Sequence, residues 1–96
     1  MTRLRLSHET REDLREIWIY SAKRWGPQQA NRYLDAIRAT ITGLADGTTV
    51  SRSAADVLPG CRRVTTGRHV VYFREDADAV EVIRVLHQRM DAGRWV

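Results

Sequence analysis

The chain lacks most of the residues that would tie it to a compartment or a cofactor. Its single cysteine, Cys61, excludes a disulfide within one molecule, and nothing points to an oxidising environment. No apolar stretch is long enough for a signal peptide or a membrane span, and the opening Thr2-Arg3-Leu4-Arg5-Leu6 alternates instead. A cytoplasmic protein without membrane association is the expectation. No cluster of His, Cys and carboxylates has metal-ligand spacing and no glycine-rich loop could cradle a phosphate, so neither a metal nor a cofactor is expected. Gly60-Cys61 is no nucleophile elbow, because Cys61 begins a strand with no base near it in sequence. Lysine is almost absent too: of sixteen basic residues only Lys23 is one.

What remains is a basic, globular composition. Ninety-six residues, 43% hydrophobic and 29% charged, make one domain, residues 1–96, with a modest core and a narrow margin of stability. The net charge of +4 and pI of about 10 have two readings. One is attraction to acidic partners: nucleic acid, the ribosome or an acidic protein segment. The other is genome composition favouring arginine. Basic residues divide evenly, eight from Arg3 to Arg38 and eight from Arg52 to Arg94, so any basic patch has to be made by folding.

Periodicity assigns the elements. Arg3-Leu4-Arg5-Leu6 reads as a short half-buried strand. Ser7 or Thr10 then offers a helix cap, with Thr10-Arg11-Glu12-Asp13 resembling a capping box. Leu14, Ile17, Trp18, Ser21, Ala22 and Trp25 recur at helical steps. Gly26-Pro27 ends one helix and starts the next, whose apolar face is Ala30, Tyr33, Leu34, Ile37, Ile41, Leu44 and Ala45, ending at Asp46-Gly47. So short a link predicts an antiparallel hairpin. Residues 47–59 read as a loop.

The C-terminal third predicts an antiparallel meander. One run begins at Cys61, turns at Thr66-Gly67 into Val70–Phe73, and turns again at Glu75-Asp76-Ala77-Asp78 into Val80–Leu86. Alternation sends Val70 and Tyr72 one way and Val71 and Phe73 the other. On the last strand it puts Val80, Val82 and Leu86 on one face, with Ile83 and Val85 opposite. Both faces are apolar and the helices can cover one. A bound partner is the expected cover for the other, with residues 92–96 and Trp95 as a lesser contribution.

Several segments carry a resemblance. The alternating start, the helix ending Lys23-Arg24-Trp25-Gly26, Gln28-Gln29-Ala30 with Tyr33, Gly60-Cys61-Arg62-Arg63, and Arg68-His69-Val70-Val71-Tyr72-Phe73 all look like the ParE toxins, of the ParE/RelE superfamily. So does Val82-Ile83-Arg84-Val85-Leu86-His87-Gln88-Arg89-Met90-Asp91. The resemblance implies an α+β fold: a short N-terminal strand and an antiparallel helical hairpin packed on a small antiparallel sheet. It implies a type II toxin neutralised by a cognate antitoxin, a DNA-binding dimer with a flexible tail. It further implies DNA gyrase as the target, inhibited so that replication is blocked, with no active site of the toxin's own. No membrane partner and no direct sequence-specific nucleic-acid binding are expected.

RelE-like relatives cleave messenger RNA on the ribosome, and a shared fold does not choose between the two activities. An RNase would draw on His87 as general acid or base with Arg68, Arg63 and Arg89 as phosphate-holding cations. His69 falls where such RNases usually place an arginine, and neutral imidazole is a poor substitute. A gyrase inhibitor needs only a binding surface, for which Arg62, Arg63, Arg68, Arg89, Arg94, Met90 and Trp95 are the candidates. Trp18, Tyr20, Tyr33, Leu34 and Phe73 are the candidates for contact with the antitoxin. A third possibility is a chain kept only as an assembly partner of a DNA-binding antitoxin.

Overall fold

Two glycines and a serine bound the helical hairpin. The computed structural model describes residues 2–96 and places α1 at His8–Trp25 and α2 at Pro27–Asp46. Ser7 caps α1, its Oγ accepting the Thr10 N–H at 3.0 Å, which satisfies an otherwise orphaned first-turn donor. The capping box expected between Thr10 and Asp13 does not form, because both side chains turn to the sheet. Thr10 Oγ1 donates to the Val82 carbonyl at 3.0 Å, and Asp13 holds Arg84. Gly26, at φ +91°, takes a turn that a side chain would strain, and Pro27 opens α2 where its missing N–H is harmless. The hairpin is therefore as short as expected. Its buried stripes are Thr10, Leu14, Ile17 and Ser21 on α1, and Ala30, Leu34, Ile37, Ile41, Gly43 and Leu44 on α2. Trp18 and Trp25, read from spacing as part of the apolar stripe, lie at its margin and are exposed.

The strands β1 (Arg3–Leu6), β2 (Arg52–Ser53), β3 (Arg62–Thr66), β4 (His69–Glu75) and β5 (Ala79–His87) form one sheet in the order β1-β5-β4-β3-β2. The β3-β4-β5 meander is the one expected, and Asp76 closes its second turn by accepting the N–H groups of Asp78 and Ala79 at 2.8 Å. Two features depart from expectation. The sheet is mixed, because β1 runs parallel to β5, and the segment read as a loop contains β2, paired antiparallel to β3.

A bulge corrects the facing of the last strand. Tyr72 pairs with Arg84 and Phe73 with Val82, leaving Ile83 unpaired on β5. One extra residue reverses the alternation beyond it. Val80, Val82 and Val85 therefore face the helices, with Val71 and Phe73. Ile83 and Leu86 join Val70 and Tyr72 on the other face.

That second face is covered by the chain itself, against the expectation of a partner. Ala54, Val57 and Leu58 from the segment before β3, Cys61, and Ala92 and Val96 around the short helix α3 (Ala92–Trp95) pack on it. Residues 92–96 are thus part of the cover, and the segment around 54–58 supplies the rest. Polar residues at 51–56 concealed this from the sequence, since Ala54 is the only fully buried one among them.

Candidate functional site

Two concave surfaces flank the hairpin. The first is an open groove of about 540 Å³ between β1, α1 and α2. Its floor is Leu4 and Leu6 from β1, Leu14 and Trp18 from α1, and Leu34 and Ile41 from α2. Arg11, Arg15 and Arg38 rim it and no acidic residue lines it. Arg15 reaches Glu12 at 3.8 Å, an exposed pair that offsets little charge. The Trp18 indole N–H donates to Asn31 Oδ1 at 2.8 Å, which holds the ring upright at the groove wall. β1 is an edge strand, so the groove also adjoins unpaired backbone groups.

The second surface is a cleft of about 490 Å³ where the end of α1, the start of α2 and the β3–β4 turn meet. Tyr20, Arg24, Trp25, Gln29 and Tyr33 come from the hairpin; Arg68, His69 and His87 come from the sheet. Tyr33 organises it. Its hydroxyl accepts the Arg68 N–H at 3.0 Å and lies 2.6 Å from His69 Nδ1. Which of the two donates there follows the His69 tautomer. His87 Nδ1 accepts the Arg89 N–H at 3.1 Å. The two imidazoles meet edge to face at 5.3 Å. Burial, with the neighbouring His87 adding to it, pushes His69 down to about 4, so it is neutral at pH 7.

The residues anticipated from sequence divide among these places. Of the antitoxin candidates, Trp18 and Leu34 line the groove, Tyr20 and Tyr33 belong to the cleft, and Phe73, at 1% exposure, is core. Phe73 is unavailable to any partner, because β4 points it at the helices.

The gyrase candidates do not form one patch. Arg62 donates to Ser51 Oγ at 2.9 Å and approaches Glu75 at 4.0 Å. Arg63 donates to Asp56 at 3.1 Å, its Nε buried without a partner. Arg68 sits at the β3–β4 turn. Met90 and Trp95 line a shallow depression of about 370 Å³ with Asp13, Glu16 and Arg84, and it adjoins the cleft through Tyr20, His69 and His87. Arg84 donates to the Trp95 carbonyl at 2.9 Å, anchoring that end. Arg89 and Arg94 are exposed.

Of the RNase set, Arg68 and His87 share the cleft, joined by the Gln88 N–H donating to the Arg68 carbonyl at 2.9 Å. Arg63 lies within β3 opposite Tyr72, on the face turned away from the helices, whereas Arg68 is in the β3–β4 turn, so the two belong to different surfaces. Burial pushes the Cys61 thiol above its ordinary value, which fits a core residue and no nucleophile.

The sequence reading named Tyr20 but missed the arginine rim and the Arg24 and Trp25 that stand beside it. Their signal was present: Arg11 and Arg15, like Tyr20 and Arg24, are four apart on a helix and so share a face.

A family model described as ParE toxin of type II toxin-antitoxin system, parDE, matches residues 4–92. Toxin ParE1 of Caulobacter vibrioides is 42% identical over 88 residues, covering 92% of this chain and 91% of that one. Toxin ParE1 of Mycobacterium tuberculosis is 35% identical over 94 residues, covering 97% and 96%. A solved structure titled chromosomal ParDE TA system from P. aeruginosa superposes with a TM-score of 0.78 over 91% of this chain and 96% of that chain, at 21% identity, a likeness of fold. Among the described residues no helix is long and apolar enough to cross a membrane and no group of His, Cys and carboxylates could hold a metal. With its hairpin, meander and order of motifs matched from end to end, the chain belongs to the ParE toxin family of type II toxin–antitoxin systems.

Proposed function

We propose that this toxin acts in the cytoplasm on DNA gyrase, and that its antitoxin silences it by laying an amphipathic, acidic segment into the groove between β1, α1 and α2. The observation that carries the antitoxin reading is the groove itself: six apolar residues ringed by three arginines, with no carboxylate among its lining. A helix laid into such a groove buries its apolar face and meets the arginines with acidic flanks. The gyrase reading rests on family membership, and on a set of RNase candidates that the fold divides. His69, neutral and held near 4, is a weak proton acceptor at pH 7, and Arg63 lies on the sheet face turned away from the helices, apart from His87.

The test pairs a supercoiling and DNA-cleavage assay with cell-free translation, using toxin freed of antitoxin. Inhibited supercoiling or trapped cleaved DNA with translation intact supports the proposal. Cut messenger with gyrase unaffected overturns it in favour of ribosome-dependent RNA cleavage. Adding antitoxin should restore gyrase, and should fail to do so when Trp18 and Arg38 of the toxin are both replaced.

A further inference from the structure

The cleft at the hairpin tip is built unlike the groove. Its walls are aromatic: Tyr20 and Trp25 meet edge to face at 6.2 Å and are 61% and 54% exposed. Exposed aromatic rings on rigid helix ends are platforms for flat ligands. The Arg24 guanidinium lies 5.4 Å from the centre of the Trp25 ring. Neither Arg24 nor Arg68 makes an ion pair among the described residues, and no carboxylate lines the cleft. Its volume of about 490 Å³ falls within the range of small-ligand sites, about 300–1,000 Å³.

The donors are held in place rather than free to adapt. Tyr33 fixes the Arg68 backbone and the His69 ring together. Gly67 makes room for this, because a Cβ there would stand 2.7 Å from the Tyr33 ring. Both imidazoles spend Nδ1 on internal hydrogen bonds, so each has only Nε2 left for another partner. Two cations, two imidazoles and the Gln29 amide thus share one cavity with the aromatic rings. An acidic peptide would satisfy the cations and leave the rings idle. A nucleotide satisfies both, its base on the rings and its phosphate at Arg24 and Arg68.

We propose that this cleft binds a nucleoside phosphate unit without sequence preference, either as a free nucleotide or as the exposed end of a single strand. The proposal does not depend on gyrase being the target.

It is tested by calorimetric titration of the purified chain with adenosine monophosphate, inorganic phosphate and a 5′-phosphorylated hexathymidylate. Adenosine monophosphate should bind saturably and more tightly than phosphate. R24A and R68A should each weaken it about tenfold or more, and Y20A should weaken the nucleotide but not phosphate. Tighter binding of the hexathymidylate than of the mononucleotide would assign the site to a strand end, and the reverse to a free nucleotide. R68K keeps the charge and loses the fork, so partial retention there excludes misfolding as the cause of the R68A loss. The idea is overturned if neither nucleotide ligand saturates at millimolar concentration, or if both arginine variants bind as the parent does.

Discussion

Asp13 and Arg84, 71 residues apart, form a bidentate pair at 2.7 and 2.8 Å, and the same carboxylate accepts the Val85 N–H at 3.0 Å. The pairing of β1 to β5 ends at Leu6 and Val82, and beyond that point helix side chains take over as partners of β5. Ser7 Oγ donates to the Ile83 carbonyl at 2.7 Å, Thr10 Oγ1 serves Val82, and Asp13 serves Val85. The first turns of α1 thus complete the sheet edge at its bulge. Asp13→Ala should destabilise the chain by about 2–4 kcal/mol, since it strands a guanidinium whose side chain is 18% exposed and frees a backbone donor. Urea melts check this, and adding Arg84→Met should recover part of the loss.

His69 makes stability depend on acidity. Its ordinary value of 6.5 falls to about 4 in the fold, so between those values the unfolded chain binds the extra proton. Stability is therefore full above pH 6.5 and declines as pH falls toward 4. Allowing for solvent at a half-buried ring, the decline attributable to His69 should be about 1–2 kcal/mol. His69→Gln, which keeps an acceptor for Tyr33, should flatten that part of the profile in melts taken across the range.

Gly67 combines φ +59° with the Tyr33 ring directly over it. Gly67→Ala should cost about 1–2 kcal/mol from the left-handed backbone alone, and more from displacing the phenol. A thermal double-mutant cycle with Tyr33→Ala separates the parts. The penalty should shrink in that background, leaving the backbone share.

Trp18 and Arg38 should be where the antitoxin is felt. Both line the groove and are exposed, so Trp18→Ala or Arg38→Glu should weaken antitoxin binding about tenfold or more, with little change in melting temperature. Trp95→Ala, outside the groove, should leave that affinity unchanged. Surface plasmon resonance with the cognate antitoxin reads both.

Much was legible in the chain before folding, and the reason is local. The 3.6-residue recurrence of Leu14 and Ile17, then of Leu34, Ile37 and Ile41, defined two amphipathic helices. Gly26-Pro27 could serve only as the break between them, and period-two runs around Asp76 could pair only as a hairpin. These signals depend on each residue's neighbours, so they survive in one dimension. The order of those elements was also enough to suggest the family.

What the tertiary structure decided depends on residues far apart. Alternation assigns Leu86 and Val85 to faces correctly only if no residue is skipped, and the skipped Ile83 is set by Ser7, Thr10 and Asp13 docking against β5. The cover of the second face came from a polar-looking segment whose few apolar residues count only once they reach Tyr72 and Leu86. The candidate sites were decided in the same way. Arg11 and Arg38 are 27 residues apart in sequence, and Tyr33 meets His69 across 36 residues of sequence. Side-chain periodicity reports which face a residue takes on its own element; only packing reports which other element shares that face.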